Sequence, residues 1–196
     1  MDKGNQVIRK ILYYTIIVIV SISCNKIKNK VKEKIPTPDY SYKGAKIDEF
    51  YYIRETVGNS KIIPLIKPYD MMKSGSPQEW SLATYELQNE LGNVISPVHL
   101  FNVQDVYIYG KKTFEKDDID SKFDSPEKWF IINTQEKKLI FFNKESDFKT
   151  ELKKIGLPEK FLDPDEVYEQ YKYDPVLPWF PEDIKKQLEG VKAKKE

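Results

Sequence analysis

A run of twelve uncharged, mostly apolar residues (11–22, I-L-Y-Y-T-I-I-V-I-V-S-I) stands near the start of this chain. It is apolar on every side, so it lacks the polar face of a helix that lies on a soluble core. It is also short: crossing a bilayer takes roughly 17–25 such residues. Lys3, Arg9 and Lys10 precede it, and small Ser23 followed by Cys24 closes it. Basic, apolar, small is the order of a secretory signal peptide, so residues 1–23 are expected to be a leader. The competing reading is a buried helix of the folded domain. A strongly basic stretch directly after the run counts against it.

Cys24 is the only cysteine, and it falls where the apolar run ends. On these residues the segment resembles a bacterial lipoprotein precursor: V-S-I-S-C, residues 20–24, is similar to a lipobox, with Ser21 where the common pattern has Leu. The resemblance implies cleavage before Cys24, diacylglycerol on its sulfur and then an acyl chain, such as palmitate, on the new amino group. It also implies a lean toward the outer membrane, because Asn25 is not the Asp that retains such proteins at the inner one. Physical reasoning agrees with the anchor. A buried methylene contributes about 0.8 kcal/mol and one myristoyl chain holds only marginally, so two or three chains make a lasting hook. A thiol with no intramolecular partner is otherwise odd in an exported chain. A free thiol in an ordinary leader or an uncleaved anchor is the alternative.

Removing 23 residues leaves 173. The next twelve, 25–36, carry Lys26, Lys28, Lys30, Lys32 and Lys34 against Glu33 alone. Such a segment repels itself and extends. Beside anionic lipid each Lys adds on the order of 1 kcal/mol of attraction; a plain solubilising spacer is the equal alternative. Pro36 and Pro38 stiffen its end, so residues 24–39 read as a lipidated tether, 40–190 as one domain and 191–196 as a fraying tail. The whole chain has a net charge of +1, with no global signature of nucleic-acid binding.

Within the domain, extended segments dominate the first two thirds. Residues 50–57, rich in aromatic and β-branched types, are expected to be a strand ended by Gly58 and Asn59. Residues 61–72 are expected to be a second strand, at an edge or bent, since Pro64 and Pro68 interrupt it. Residues 80–87 suit a strand or a short helix. Residues 98–101 and 103–109 suit strands, and 129–134 with 138–142 make the clearest hairpin. Helices follow. Phe148, Leu152 and Ile155 share a face, with Gly156 as a left-handed stop and Leu157 returning to Leu152. Asp163, Pro164 and Glu166 form an N-cap, a first-turn proline and a capping-box acid, with Leu162 and Val167 as staple. Pro181 opens a last helix that turns Ile184 and Leu188 inward. Strands first and helices last give an α+β fold: a mainly antiparallel sheet with two or three C-terminal helices on one face.

Chemistry is harder to find. His99 is the only histidine, and no G-x-S-x-G elbow presents a serine to it, so a half-buried strand residue is the plainer reading. One histidine and one cysteine are a poor basis for zinc, and there is no Walker loop and no G-x-G-x-x-G. Catalytic residues, metal ligands and cofactors are therefore expected to be none. Residues 115–127 hold six acids against two lysines, which suits calcium in charge only. Counted from Asp118 as an EF-hand, Phe123 stands in place of the turn glycine and Trp129 in place of the last glutamate. Residues 163–174 also carry a net of −4, part of it explained by helix capping.

The remaining lead is an aromatic run, Tyr168, Tyr171, Tyr173, Trp179 and Phe180, stiffened by Pro175, Pro178 and Pro181. Rimmed by acids, it suits a binding surface for a basic protein partner; alternatively Trp179 and Phe180 plug the core. The body loosely resembles small immunity-type envelope lipoproteins that neutralise secreted toxins, on its W-F-I-I-N-T hairpin and D-P-D-E-V-Y-E-Q-Y helix; the resemblance carries no site residues. It implies a membrane-anchored, non-enzymatic protein-binding module at the cell envelope, with the bilayer and an unidentified protein as partners. A carboxylate-dependent envelope hydrolase and a structural subunit of an envelope complex are the alternatives.

Overall fold

The structure, a computed structural model, describes residues 42, 46–55, 60–75, 79–87, 94–113 and 127–192. The chain divides between Asp39 and Tyr40, and every described residue lies after that boundary. Cys24, the lysine tether, the Gly58-Asn59 turn and the acidic segment up to Pro126 lie outside the described residues.

The fold is α+β. Two antiparallel four-stranded sheets occupy the first two thirds, and three helices follow. The first sheet has the order β1 (Lys61–Pro64), β2 (Asp70–Ser74), β3 (Glu79–Ala83), β4 (Val94–Ile95). The second runs β5 (Val98–Gln104), β6 (Tyr107–Thr113), β7 (Glu127–Asn133), β8 (Lys138–Phe142). The helices are α1 (Glu145–Lys154), α2 (Pro164–Tyr173) and α3 (Glu182–Lys192). Within each sheet every strand pairs antiparallel with its sequence neighbour.

Alternation along the second sheet sends side chains to two separate cores. Val98, Phe101, Val103, Ile108, Phe130 and Ile132 join the first sheet, α2 and α3 in the main core. Tyr109, Trp129 and Ile131 point the other way and meet Phe148, Leu152 and Leu157 around α1. Trp129 stacks on Phe148 at 4.7 Å. The helices thus divide between two faces of the second sheet, where one face was expected. The reason is the strand sequence W-F-I-I: with large apolar residues on both sides, β7 needs cover on both.

The register of β5 is set by a bulge between Val98 and Leu100. It absorbs one residue, so Val98 and Phe101 both enter the main core although three positions apart. His99 sits in that bulge and is exposed, not half-buried.

The start of α2 and the end of α1 match their sequence signals. The Asp163 side chain accepts from the backbone N–H groups of Asp165 and Glu166 at 2.7 and 3.2 Å, with Pro164 in the first turn. Leu162 and Val167 both belong to the main core. α1 closes as a Schellman motif: the Leu157 N–H donates to Leu152 O at 2.9 Å and the Gly156 N–H to Lys153 O at 3.3 Å, with Gly156 at φ 76°.

Three segments differ from expectation. Of the strand expected over 50–57, residues 50–55 are described and form none: Glu49–Tyr51 is a 3-10 turn, with Asp48 accepting from the Phe50 N–H, and Glu55 makes an isolated bridge to Lys61. The strand expected over 61–72 is the hairpin β1–β2, turned at residues 66–68, where the Tyr69 N–H returns to Ile66 O. The break expected at Asn102 falls instead at Asp105, in the left-handed region at φ 52°. The helix that ends the fold also runs into the expected tail: Val191 packs on the main core and Lys192 reaches Asp174 at 3.0 Å.

Candidate functional site

The aromatic run was the leading partner surface, and most of it is core. Tyr168, Tyr171 and Phe180 are buried in the main cluster. The Tyr168 hydroxyl donates to Glu55 at 3.0 Å, and the Tyr171 hydroxyl reaches the carbonyls of Ile53 and Tyr51 at 2.9 and 3.2 Å. Burial pushes the Tyr171 phenol far up, so it stays a donor at any ordinary pH. Trp179 is partly buried, its indole N–H donating to Pro64 O at 3.0 Å. Periodicity could not separate these rings from a docking face, since a core stripe and a hot-spot stripe share one spacing. Tyr173 is the exception, 52% exposed at the end of α2. It ends an outward stripe of Glu166, Glu169, Gln170 and Tyr173, spaced i, i+3, i+4, i+7.

The start of α2 is fastened to the first sheet. Lys73 on β2 meets both Asp165 oxygens at 2.8 Å, and the Trp80 indole N–H donates to the same carboxylate at 3.2 Å. Partial burial pushes the Asp165 carboxyl up, but the hydrogen bonds from Lys73 and Trp80, with the charges of Lys73 and Lys61, hold it below the usual carboxylate value. Lys61 lies over the Tyr168 ring at 4.9 Å. These polar groups are satisfied by one another, which marks a structural latch.

A concave feature lies on the opposite side, between the outer face of the second sheet and α1. Its volume is about 180 Å³, with Tyr107, Ile131, Ile140 and Ile155 as an apolar floor. Asn133, Glu136, Lys138 and Glu151 form the rim, and no sequence signal had marked them as a group. Two of these are already engaged. Asn133 accepts from the N–H groups of Gln135 and Glu136, and Glu151 holds Lys154 at 3.0 and 3.1 Å. The cleft is smaller than the roughly 300–1,000 Å³ of most ligand sites, so it suits one side chain or one sugar ring.

Among the described residues, no group of three or more His, Cys, Asp and Glu is placed to hold a metal ion. Among them, too, no helix is long and apolar enough to cross a membrane. No family model, curated protein or solved structure matches the chain.

Proposed function

We propose that the chain is an exported lipoprotein, held at the cell envelope through acylated Cys24, that works as a non-enzymatic protein-binding module of the immunity type. One observation carries the reading: a basic start, a twelve-residue apolar run and small Ser23 lead directly to the only thiol of the chain. The lysine segment and its two prolines then give the body reach from the bilayer surface. Tyr173 and the acids beside it supply an outward face that a basic partner can meet, with charge steering the encounter.

Intact-mass analysis of envelope fractions tests the anchor. Loss of residues 1–23 with added acyl mass on Cys24 is the expected result. Cys24→Ala should leave a folded domain that no longer partitions with the membrane, or a precursor that stays uncleaved. Unmodified full-length chain folded in the cytosol of its own cell would overturn the reading. A pull-down with Tyr173→Ala as control tests the partner face.

The cleft supports a second reading, a carboxylate-dependent hydrolase. Glu136 and Glu151 line one depression, and glycoside hydrolysis uses two carboxyl groups in one cleft. Against it stand the Lys154 pairing and the small volume. Hydrolysis of cell-wall polysaccharide abolished by Glu136→Gln or Glu151→Gln would favour it over the binding module.

A further inference from the structure

The two sheets have four edges, and three of them are blunted. The β1 edge carries Pro64 and packs against α2. The opposite edge, β4, is two residues long. The β5 edge is bulged and capped by a bridge, in which Phe101 and Leu162 exchange backbone hydrogen bonds of 3.1 and 2.8 Å. These are the devices by which sheets avoid pairing with other chains.

The β8 edge is blunted less: α1 packs on one of its faces, but its length is that of a full strand and, among the described residues, no bulge, proline or backbone bridge interrupts it. Lys138–Phe142 (K-L-I-F-F) pairs with β7 without a bulge over its whole length and contains no proline. Among the described residues, no backbone hydrogen bond reaches it from the other side. Leu139, Ile140, Phe141 and Phe142 are each only partly buried. Four consecutive large apolar side chains, half-covered on an unpaired edge, are what an added strand would cover.

We propose that β8 pairs antiparallel with β8 of a second copy of this chain, joining the two four-stranded sheets into one of eight. The sequence is self-complementary in that register. Centring the two-fold axis on Ile140 sets Leu139 opposite the second copy's Phe141, both on the main-core face. Lys138 then faces Phe142 on the outer face, where the alkyl stem and ammonium can lie along the ring. No like charges meet across the pair. Just beyond the strand, the same register brings exposed Glu136 toward exposed Lys144 of the other copy, twice by symmetry. A foreign peptide would have to supply a matching sequence of its own; a second copy carries one that matches in side chains and charge. The pairing does not depend on where the chain resides.

Two measurements on the full chain decide it. Amide exchange at residues 139–142 should slow by about tenfold or more from dilute to concentrated protein, while amides on α3 stay unchanged. With Cys24→Ala removing the native thiol, Ile140→Cys should oxidise to a covalent dimer, because directly opposed antiparallel residues lie at about 4.5–5.5 Å, within disulfide reach. Glu189→Cys, exposed on α3, should remain monomeric in the same oxidant. Ile140→Lys, which sets two ammonium groups face to face on the axis, should abolish the concentration dependence at an unchanged circular dichroism spectrum. Exchange at 139–142 that is flat with concentration, or equal cross-linking at 140 and 189, would overturn the proposal. So would protection that arises only when another protein is added.

Discussion

Alanine at Gly110 would place its Cβ 2.1 Å from the carbonyl oxygen of Leu100 and 2.9 Å from the Cα of Phe101. Both obstacles are backbone, beside the β5 bulge, so the strands must separate. We expect Gly110→Ala to cost about 3 kcal/mol in urea unfolding. Gly156→Ala meets nothing within 4 Å, and its whole penalty is the left-handed backbone at φ 76°, about 1 kcal/mol. A second residue-scale prediction concerns Asp70. Burial pushes this carboxyl up, with no charged partner among the described residues to offset it. A raised folded value means that the folded state holds the proton more tightly than the unfolded chain. Stability therefore falls as pH rises from the ordinary carboxylate value through the raised one. Asp70→Asn should raise the Tm at neutral pH, and thermal scans in acid should show the gain disappear. Asp165 has the opposite sign: its contribution is present at neutral pH and lost as pH falls through its lowered value.

Among the elements, α2 depends most on its cap. Asp163 satisfies two N–H groups that no carbonyl of the helix can reach. Asp163→Ala should cost about 1 kcal/mol, and exchange of the Asp165 and Glu166 amides should quicken before that of the last turn. The β7–β8 hairpin was legible for a comparable reason. Asn133 closes its turn by accepting from the Gln135 and Glu136 amides, an interaction encoded within four residues. Residue 102 misleads in the other direction. An asparagine between apolar runs reads as a break, yet Asn102 continues β5 because its amide donates to the Tyr109 hydroxyl at 2.9 Å and to Lys160 O at 2.8 Å. Lys160 is 58 positions away, beyond the reach of any local pattern.

For the whole molecule, the decisive feature is one sheet serving two cores. β7 sends Phe130 and Ile132 to the main core and Trp129 and Ile131 to the α1 side. The smaller core cannot loosen without disturbing the strand that the larger one uses. Phe148→Ala, which removes the ring stacked on Trp129, should cost about 3–5 kcal/mol. Near-UV and far-UV circular dichroism should still report a single coincident transition. Two separated transitions would show that α1 with its face of the sheet unfolds alone.

Signals that act over a few residues determined the α+β order, the β7–β8 hairpin, the Asp163 cap and the Gly156 stop. In each the physical cause is local: a cap, a turn, or an alternation of apolar residues. Tertiary structure alone decided which faces those elements share. The rings of Tyr168, Tyr171 and Phe180 were correctly placed along the chain, but their burial depends on Ile53 and Glu55, more than a hundred residues earlier, and on the first sheet. The cleft beside α1 and the open β8 edge likewise exist only once four strands are side by side. Burial and pairing are properties of what lies opposite, and a sequence read in order does not say what lies opposite.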